Sequence, residues 1–161
     1  MMRVLTYPDP GLTQCAADVD VATDGDVGRL AKTMLRVMHD APGIGLAAPQ
    51  IGVQKRVIAF DLEDDPHVLL NPKVVAHSDE SSSFEEGCLS VPGIVVPVSR
   101  PDSILFEAFT LDGHEIRVEA EGLLARLIQH EVDHLDGVLM LDRATPEERK
   151  AALQRYREAS L

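Results

Sequence analysis

The sequence predicts an α+β fold: a single domain spanning residues 1–161, with mostly antiparallel sheets packed around a central H-E-x-x-H helix and with an N-terminal and a C-terminal helix. Three observations carry that expectation. Between residues 56 and 120, short apolar and β-branched runs are separated by turn residues, the pattern of strands joined without intervening helices. From Gly122 to Gly137, apolar side chains recur every three or four positions, the period of a helix. A chain of 161 residues, 45% hydrophobic and 26% charged, has the size and composition of one globular domain, and no repeat or linker divides it.

The elements follow in order. Residues 3–12 are extended or irregular, punctuated by Pro8, Pro10 and Gly11. A helix is predicted from Thr23, with Thr23 or Asp24 as N-cap and Asp26 in its first turn. Val27, Leu30, Ala31, Met34, Leu35 and Met38 form its buried stripe, and Ala41-Pro42-Gly43 stops it. His39, in its last turn, carries no functional weight. Residues 43–52 hold three Gly, one Pro and small side chains around a single amide, Gln50, which suits a backbone that must lie close to something. Strands are predicted over residues 56–62, 68–70 and 73–76, with 79–83 polar and loop-like, and again over 94–98. Residues 104–111 and 114–120 flank Asp112-Gly113, a strong hairpin signal. After the central helix, residues 138–141 read as extended. Thr145-Pro146-Glu147-Glu148 is a capped helix start, and the tail helix runs to about Ala159 with Leu153 and Tyr156 as its apolar points.

The net charge of −12 argues against a nucleic-acid surface, which needs a basic patch. No run of about 18 apolar residues is present to span a membrane. The N-terminus lacks secretory and transit layouts, so the expected location is cytoplasmic. Two cysteines, Cys15 and Cys88, do not make a disulfide framework.

The chemistry is concentrated in the central helix. His130 and His134 are four apart and project from one face, and Glu131 lies between them. H-E-x-x-H on a helix lets two neutral imidazoles hold a divalent metal while the Glu stays free as a base. A catalytic site needs a third protein ligand and an open position. Cys88 has the most suggestive neighbourhood, between Gly87 and Pro92-Gly93, although burial beside Leu89 and Val91 would explain it equally well.

Three stretches together resemble the signature motifs of the peptide deformylases: Gly43-Ile44-Gly45-Leu46-Ala47-Ala48-Pro49-Gln50, Glu86-Gly87-Cys88-Leu89-Ser90 and Gln129-His130-Glu131-Val132-Asp133-His134. The similarity runs from Leu5-Thr6-Tyr7-Pro8-Asp9 to the end of the central helix. It implies Cys88, His130 and His134 as metal ligands, Glu131 as acid and base, and Gln50 with the backbone N–H of Leu89 as oxyanion donors. It also implies one divalent ion, Fe²⁺ in the cell, with Zn²⁺, Ni²⁺ or Co²⁺ accepted. The implied substrates are N-formyl-Met peptides and nascent chains. An apolar pocket for methionine is then expected beside the metal, walled by Ile44, Leu123 and Leu127, with Gly43 and Gly45 offering backbone hydrogen bonds to the peptide.

There is one departure. Many relatives carry an Arg soon after the Cys-Leu-Ser-x-Pro segment, whereas this chain reads Ile94-Val95-Val96-Pro97, and its first Arg there is Arg100. The tail helix balances Arg149, Lys150, Arg155 and Arg157 against Glu147, Glu148 and Glu158, which leaves room for no more than a weak ribosome contact. Two other readings compete. H-E-x-x-H alone suggests a metallopeptidase, but no His follows His134 to supply a downstream ligand. A non-catalytic metal-binding homologue would need a fourth protein ligand to close the site.

Overall fold

The computed structural model describes residues 3–159; the two residues at each end of the predicted 1–161 domain lie outside them. Among the described residues, α1 (Val27–Asp40) leads to a short edge strand, β1 (Gly45–Ala47), and a 3₁₀ turn over Ala48–Ile51. Then come β2 (Val57–Leu62), β3 (Asp65–His77), β4 (Ser81–Gly87), β5 (Val95–Pro101), β6 (Ser103–Phe109) and β7 (Glu115–Glu121). The chain closes with α2 (Gly122–Leu135), α3 (Met140–Arg143) and α4 (Pro146–Ala159). The strands form a five-stranded sheet in the order β1-β2-β3-β6-β7 and a separate ribbon, β4-β5, with every pairing antiparallel.

Alternation along β2 explains how the large sheet is covered. Ile58 and Phe60 face the core shared with Ala125, Leu127, Ile128 and Leu135 of α2, whereas Val57 and Ala59 face the core built on Ala31, Met34 and Met38 of α1. A third cluster joins Val96 and Val98 of the ribbon to Leu139, Met140, Leu141, Ala152 and Leu153. The central helix is therefore held between the sheet on one side and the ribbon on the other.

The predicted α+β architecture is present, with four local corrections. The first helix begins at Val27 with Asp26 at the N-cap, not at Thr23 or Asp24. Asp24 Oδ1 instead accepts the Asp26 N–H at 3.0 Å, a local turn that competes with helix. Residues 81–83 are strand rather than loop, because their polar side chains sit on the solvated ribbon while their backbone pairs with residues 99–101. Residues 140–141 are helical: the Leu139 N–H is capped by Asp142 Oδ2 at 2.9 Å, which starts α3. The hairpin around Asp112-Gly113 is wider than a two-residue turn, since Phe109 pairs with Glu115 and the Thr110 N–H bonds the His114 carbonyl. The capped start of the tail helix is as predicted, with the Glu148 N–H on Thr145 Oγ1 at 3.2 Å.

The N-terminal segment is stapled to the end of α2. The Ala16 N–H donates to the Leu135 carbonyl at 2.8 Å, and Gly137 turns the chain with φ of 74°. A Cβ on Gly137 would lie 2.7 Å from the Thr13 carbonyl. Gly137→Ala combines a left-handed backbone with this clash, so urea unfolding should report a loss of about 2–4 kcal/mol.

Candidate metal centre and its groove

The site lies where three elements meet: the end of the ribbon, the edge strand β1 with its 3₁₀ turn, and α2. The helix supplies His130 and His134, one turn apart and edge to face, with their Nε2 atoms 3.3 Å from each other. The chain leaving β4 brings Cys88 Sγ to 3.4 Å from His134 Nε2, and all three donor atoms lie within 4.8 Å of one another. A tetrahedral ion with bonds of about 2.0–2.3 Å has ligand-to-ligand edges of roughly 3.3–3.6 Å, so these thiol and imidazole donors fit one such ion. Among the described residues the cluster holds three members, so a fourth tetrahedral ligand would come from outside that set.

Sequence reasoning missed what orients the donors. Glu86 Oε1 lies 2.9 Å from His130 Nδ1, and both of its oxygens are bound by Arg100, at 2.6 and 3.0 Å. Arg126 adds a contact of 2.5 Å. Burial works against the Glu86 carboxylate, but the bonds from His130 and Arg100 outweigh it and bring its pKa down to about 2. An ionised carboxylate only accepts, so His130 donates from Nδ1, and its Nε2 faces His134 at 3.3 Å. For His130 itself burial disfavours charge, yet the bonds to Cys88 and Glu86 and the charge of Glu131 leave its pKa well above the usual histidine value. His134 is driven well below it, first by burial and then by the cations of His130 and Arg100. Two imidazoles this close cannot both be charged.

Asp133 extends the network, taking Arg100 at 2.9 Å and Arg143 at 2.9 and 3.1 Å. The signal was in view, since Glu86 and Asp133 lie inside the quoted motifs, but periodicity assigns neither a partner. Arg100 faces this buried network and not the groove, whose rim at that point is the exposed Val95.

Glu131 is 4% exposed. Burial pushes its carboxyl up to about 7; the positive charges of His130 and Arg100 work the other way. Gln50 is equally buried, and its orientation is settled by its partners: Oε1 accepts the Ala47 N–H at 2.9 Å, so Nε2 faces Ser90 Oγ at 3.0 Å and Cys88 Sγ at 3.7 Å. The Leu89 N–H has no acceptor among the described residues. A groove of ≈ 950 Å³ opens over these groups, and Gly43, Ile44, Gly45, Leu89, Leu123 and Leu127 all line it. Leu123 is 57% exposed at the rim, whereas Leu127 is 5% exposed and belongs to the core as well. The two glycines differ. The Gly43 N–H is spent on the Met38 carbonyl at 2.7 Å, so it is not free for a peptide as expected. The Asp61 N–H bonds the Ile44 carbonyl, and the antiparallel alternation then points the Gly45 N–H and carbonyl off the free edge of β1.

The polypeptide deformylase family model matches residues 1–150. This chain belongs to that family. The peptide deformylase of Rhizobium meliloti is 47% identical over 98% of this chain and 92% of its own length, and that of Dictyoglomus thermophilum is 50% identical over 86% and 90%. Among solved structures, the peptide deformylase of Legionella pneumophila superposes with a TM-score of 0.92 at 36% identity, covering 99% of this chain and 96% of that one. A peptide deformylase from Synechococcus elongatus, in complex with actinonin, gives 0.90 at 39% identity, covering 96% and 86%. The deformylase resemblance read from three motifs thus extends over the whole fold.

Glu86 ionises at about 2 in the folded protein, against an ordinary value of 4.5. Its depressed pKa stabilises the fold fully above pH 4.5, and that stabilisation is lost as the pH falls toward 2. Urea unfolding over that window should show a steeper loss of stability for the wild-type protein than for Glu86→Gln.

Proposed function

We propose that this deformylase-family chain is a metal-dependent hydrolase that removes the N-formyl group from the N-terminal methionine of newly made polypeptides and releases formate, and that one domain over residues 1–161 carries the activity. The observation that carries the reading is the convergence of Cys88 with His130 and His134 of α2 within 4.8 Å, beside the buried carboxyl of Glu131. The same convergence weighs against a metallopeptidase with a downstream ligand, because a cysteine already fills the third place.

An ion held by Cys88, His130 and His134 would supply Lewis acidity, making water ionisable near neutral pH and polarising the formyl carbonyl. The protein's own groups do the rest. Glu131, with a pKa near the working pH, accepts the proton of the attacking water. As oxygen adds to the formyl carbon, negative charge gathers on the carbonyl oxygen. Gln50 Nε2 and the Leu89 N–H are the donors placed to hold it, each worth about 2.7–4 kcal/mol by analogy with other oxyanion holes. Glu131 then returns the proton to the nitrogen as the carbon–nitrogen bond breaks, leaving formate and a free α-amine. Ile44, Leu123 and Leu127 wall the methionine pocket, and the Gly45 backbone holds the peptide as an added strand would.

A thiolate with two imidazoles suits Fe²⁺ in the cell and accepts Zn²⁺, Ni²⁺ or Co²⁺. Formylated nascent chains are the partners, and the charge-balanced α4 supports at most a weak ribosome contact. No helix among the described residues is long and apolar enough to cross a membrane, and the proposed location is the cytoplasm.

Formate release from formyl-Met-Ala-Ser, with anaerobically loaded Fe²⁺ and then Zn²⁺, tests the activity. Glu131→Gln should keep its metal while turnover falls by about 10²–10⁴-fold, and retained turnover would overturn the role given to Glu131. A Cβ on Gly45 would collide with Glu131 Oε2. Gly45→Ala should therefore cut kcat by roughly 10²-fold with the metal still bound, read by turnover beside metal analysis.

A further inference from the structure

Two guanidinium groups bracket the histidine pair of α2. Arg100 comes from the ribbon and reaches Asp133 near the end of the helix. Arg126 leaves the helix one turn before His130 and reaches back to the ribbon. Its Nη1 donates to Glu86 Oε2 at 2.5 Å and to the Val98 carbonyl at 2.9 Å, and its Nη2 donates to the Ser82 carbonyl at 2.8 Å. The guanidinium, which lines the groove, also lies 5.2 Å from the centre of the Phe84 ring in a cation–π contact. The side chain is 14% exposed.

Ser82 belongs to β4 and Val98 to β5, so one side chain grips both strands of the ribbon, whose β4 strand ends next to Cys88. Gln129 adds a single bond to the Pro101 carbonyl at the far end. Arg126 is not needed to keep Glu86 ionised, because Arg100 binds both carboxylate oxygens. Beside the single links that Arg100–Asp133, Glu86–His130 and Gln129–Pro101 make between helix and ribbon, what it adds is a grip on both ribbon strands at once.

We propose that Arg126 is a positioning residue of the metal centre: by clamping the β4–β5 ribbon onto α2, it sets the separation of Cys88 Sγ from the Nε2 atoms of His130 and His134. The inference rests on the Cys88–His130–His134 metal site proposed above.

Arg126→Met keeps the apolar stem over Phe84 and removes all three donors; Arg126→Lys keeps the charge but not the planar fork. Full-length protein loaded with Co²⁺ reports Cys88 through the thiolate-to-cobalt charge-transfer band, and chelator competition gives metal affinity. Arg126→Met should weaken metal binding by about 10–100-fold and diminish the band, as loss of a group supporting the ligands does, and Arg126→Lys should recover neither in full. Gly113→Ala, a strained substitution on the distant hairpin, should leave both readouts unchanged. An unaltered band and affinity in Arg126→Met, full recovery in Arg126→Lys, or an equal loss in Gly113→Ala overturns the proposal. A wild-type protein without the band sinks the metal site itself, and the positioning role with it. Arg126→Lys keeps the test decisive if Arg126→Met does not fold.

Discussion

The carboxylate of Glu86 is the charge on which the site depends. It is buried, it accepts two bonds from Arg100, one from Arg126 and one from His130, and it ionises far below the ordinary carboxyl range. Burying such a cluster costs desolvation that its own attraction only partly offsets, so the network is weak evidence for stability as such. Its geometric consequence is stronger. A carboxylate that cannot donate fixes a proton on His130 Nδ1 and turns Nε2 toward Cys88 and His134. The same carboxylate joins three elements: the end of β4, the end of β5 and the middle of α2.

That arrangement explains why the site opens where it does. The five-stranded sheet ends at β1 and the ribbon is a separate pair, so two strand edges lie near the face of α2 that bears the histidines. The groove between them has the free backbone groups of Gly45 on one side and apolar Leu123 and Val95 at its mouth. The large apolar faces are used up elsewhere. One face of the sheet is covered by α2, the other by α1, and the ribbon packs on α3 and α4. The groove is thus the place where neither sheet is covered, and among its lining residues Leu127 and Ile94 also belong to the cores.

What was legible in the sequence and what was not divide along physical lines. Periodic burial is local, so α2, the stripe of Ala31, Met34 and Met38, and the alternation of β7 could all be read from spacing. His130 and His134 share a face because helix geometry puts them there. Cys88 could be proposed only from its bend and from resemblance, since 42 or more positions separate it from the histidines. The failures are competitions that spacing does not rank. Asp24 forms a turn rather than a cap, and Asp142 starts a helix in a run that reads as extended. The ribbon's polar first residues hid a strand whose order comes from its partner's backbone. Glu86, Arg100, Arg126 and Asp133 were missed because a buried charge is defined by its partners, here 10 to 44 positions away.

Glu131 shows how the glycine-rich stretch and the helix complete one another. A carboxyl must be buried for its pKa to rise to about 7, yet it must also stay close to the reacting atoms. Both conditions hold because β1 passes directly over it at Gly45, where even a methyl group would strike Oε2. The next residues turn tightly, and the Ala47 N–H orients Gln50 so that its amide hydrogens face the same space. Small residues over 43–48 therefore do more than permit a loop. They let backbone replace solvent around Glu131, which raises its pKa, and they seat the Gln50 amide facing Ser90 and Cys88. A larger residue at Gly45 would force Glu131 either out into water, where its pKa would fall, or deeper into the core, away from the atoms that the proposed reaction brings to it.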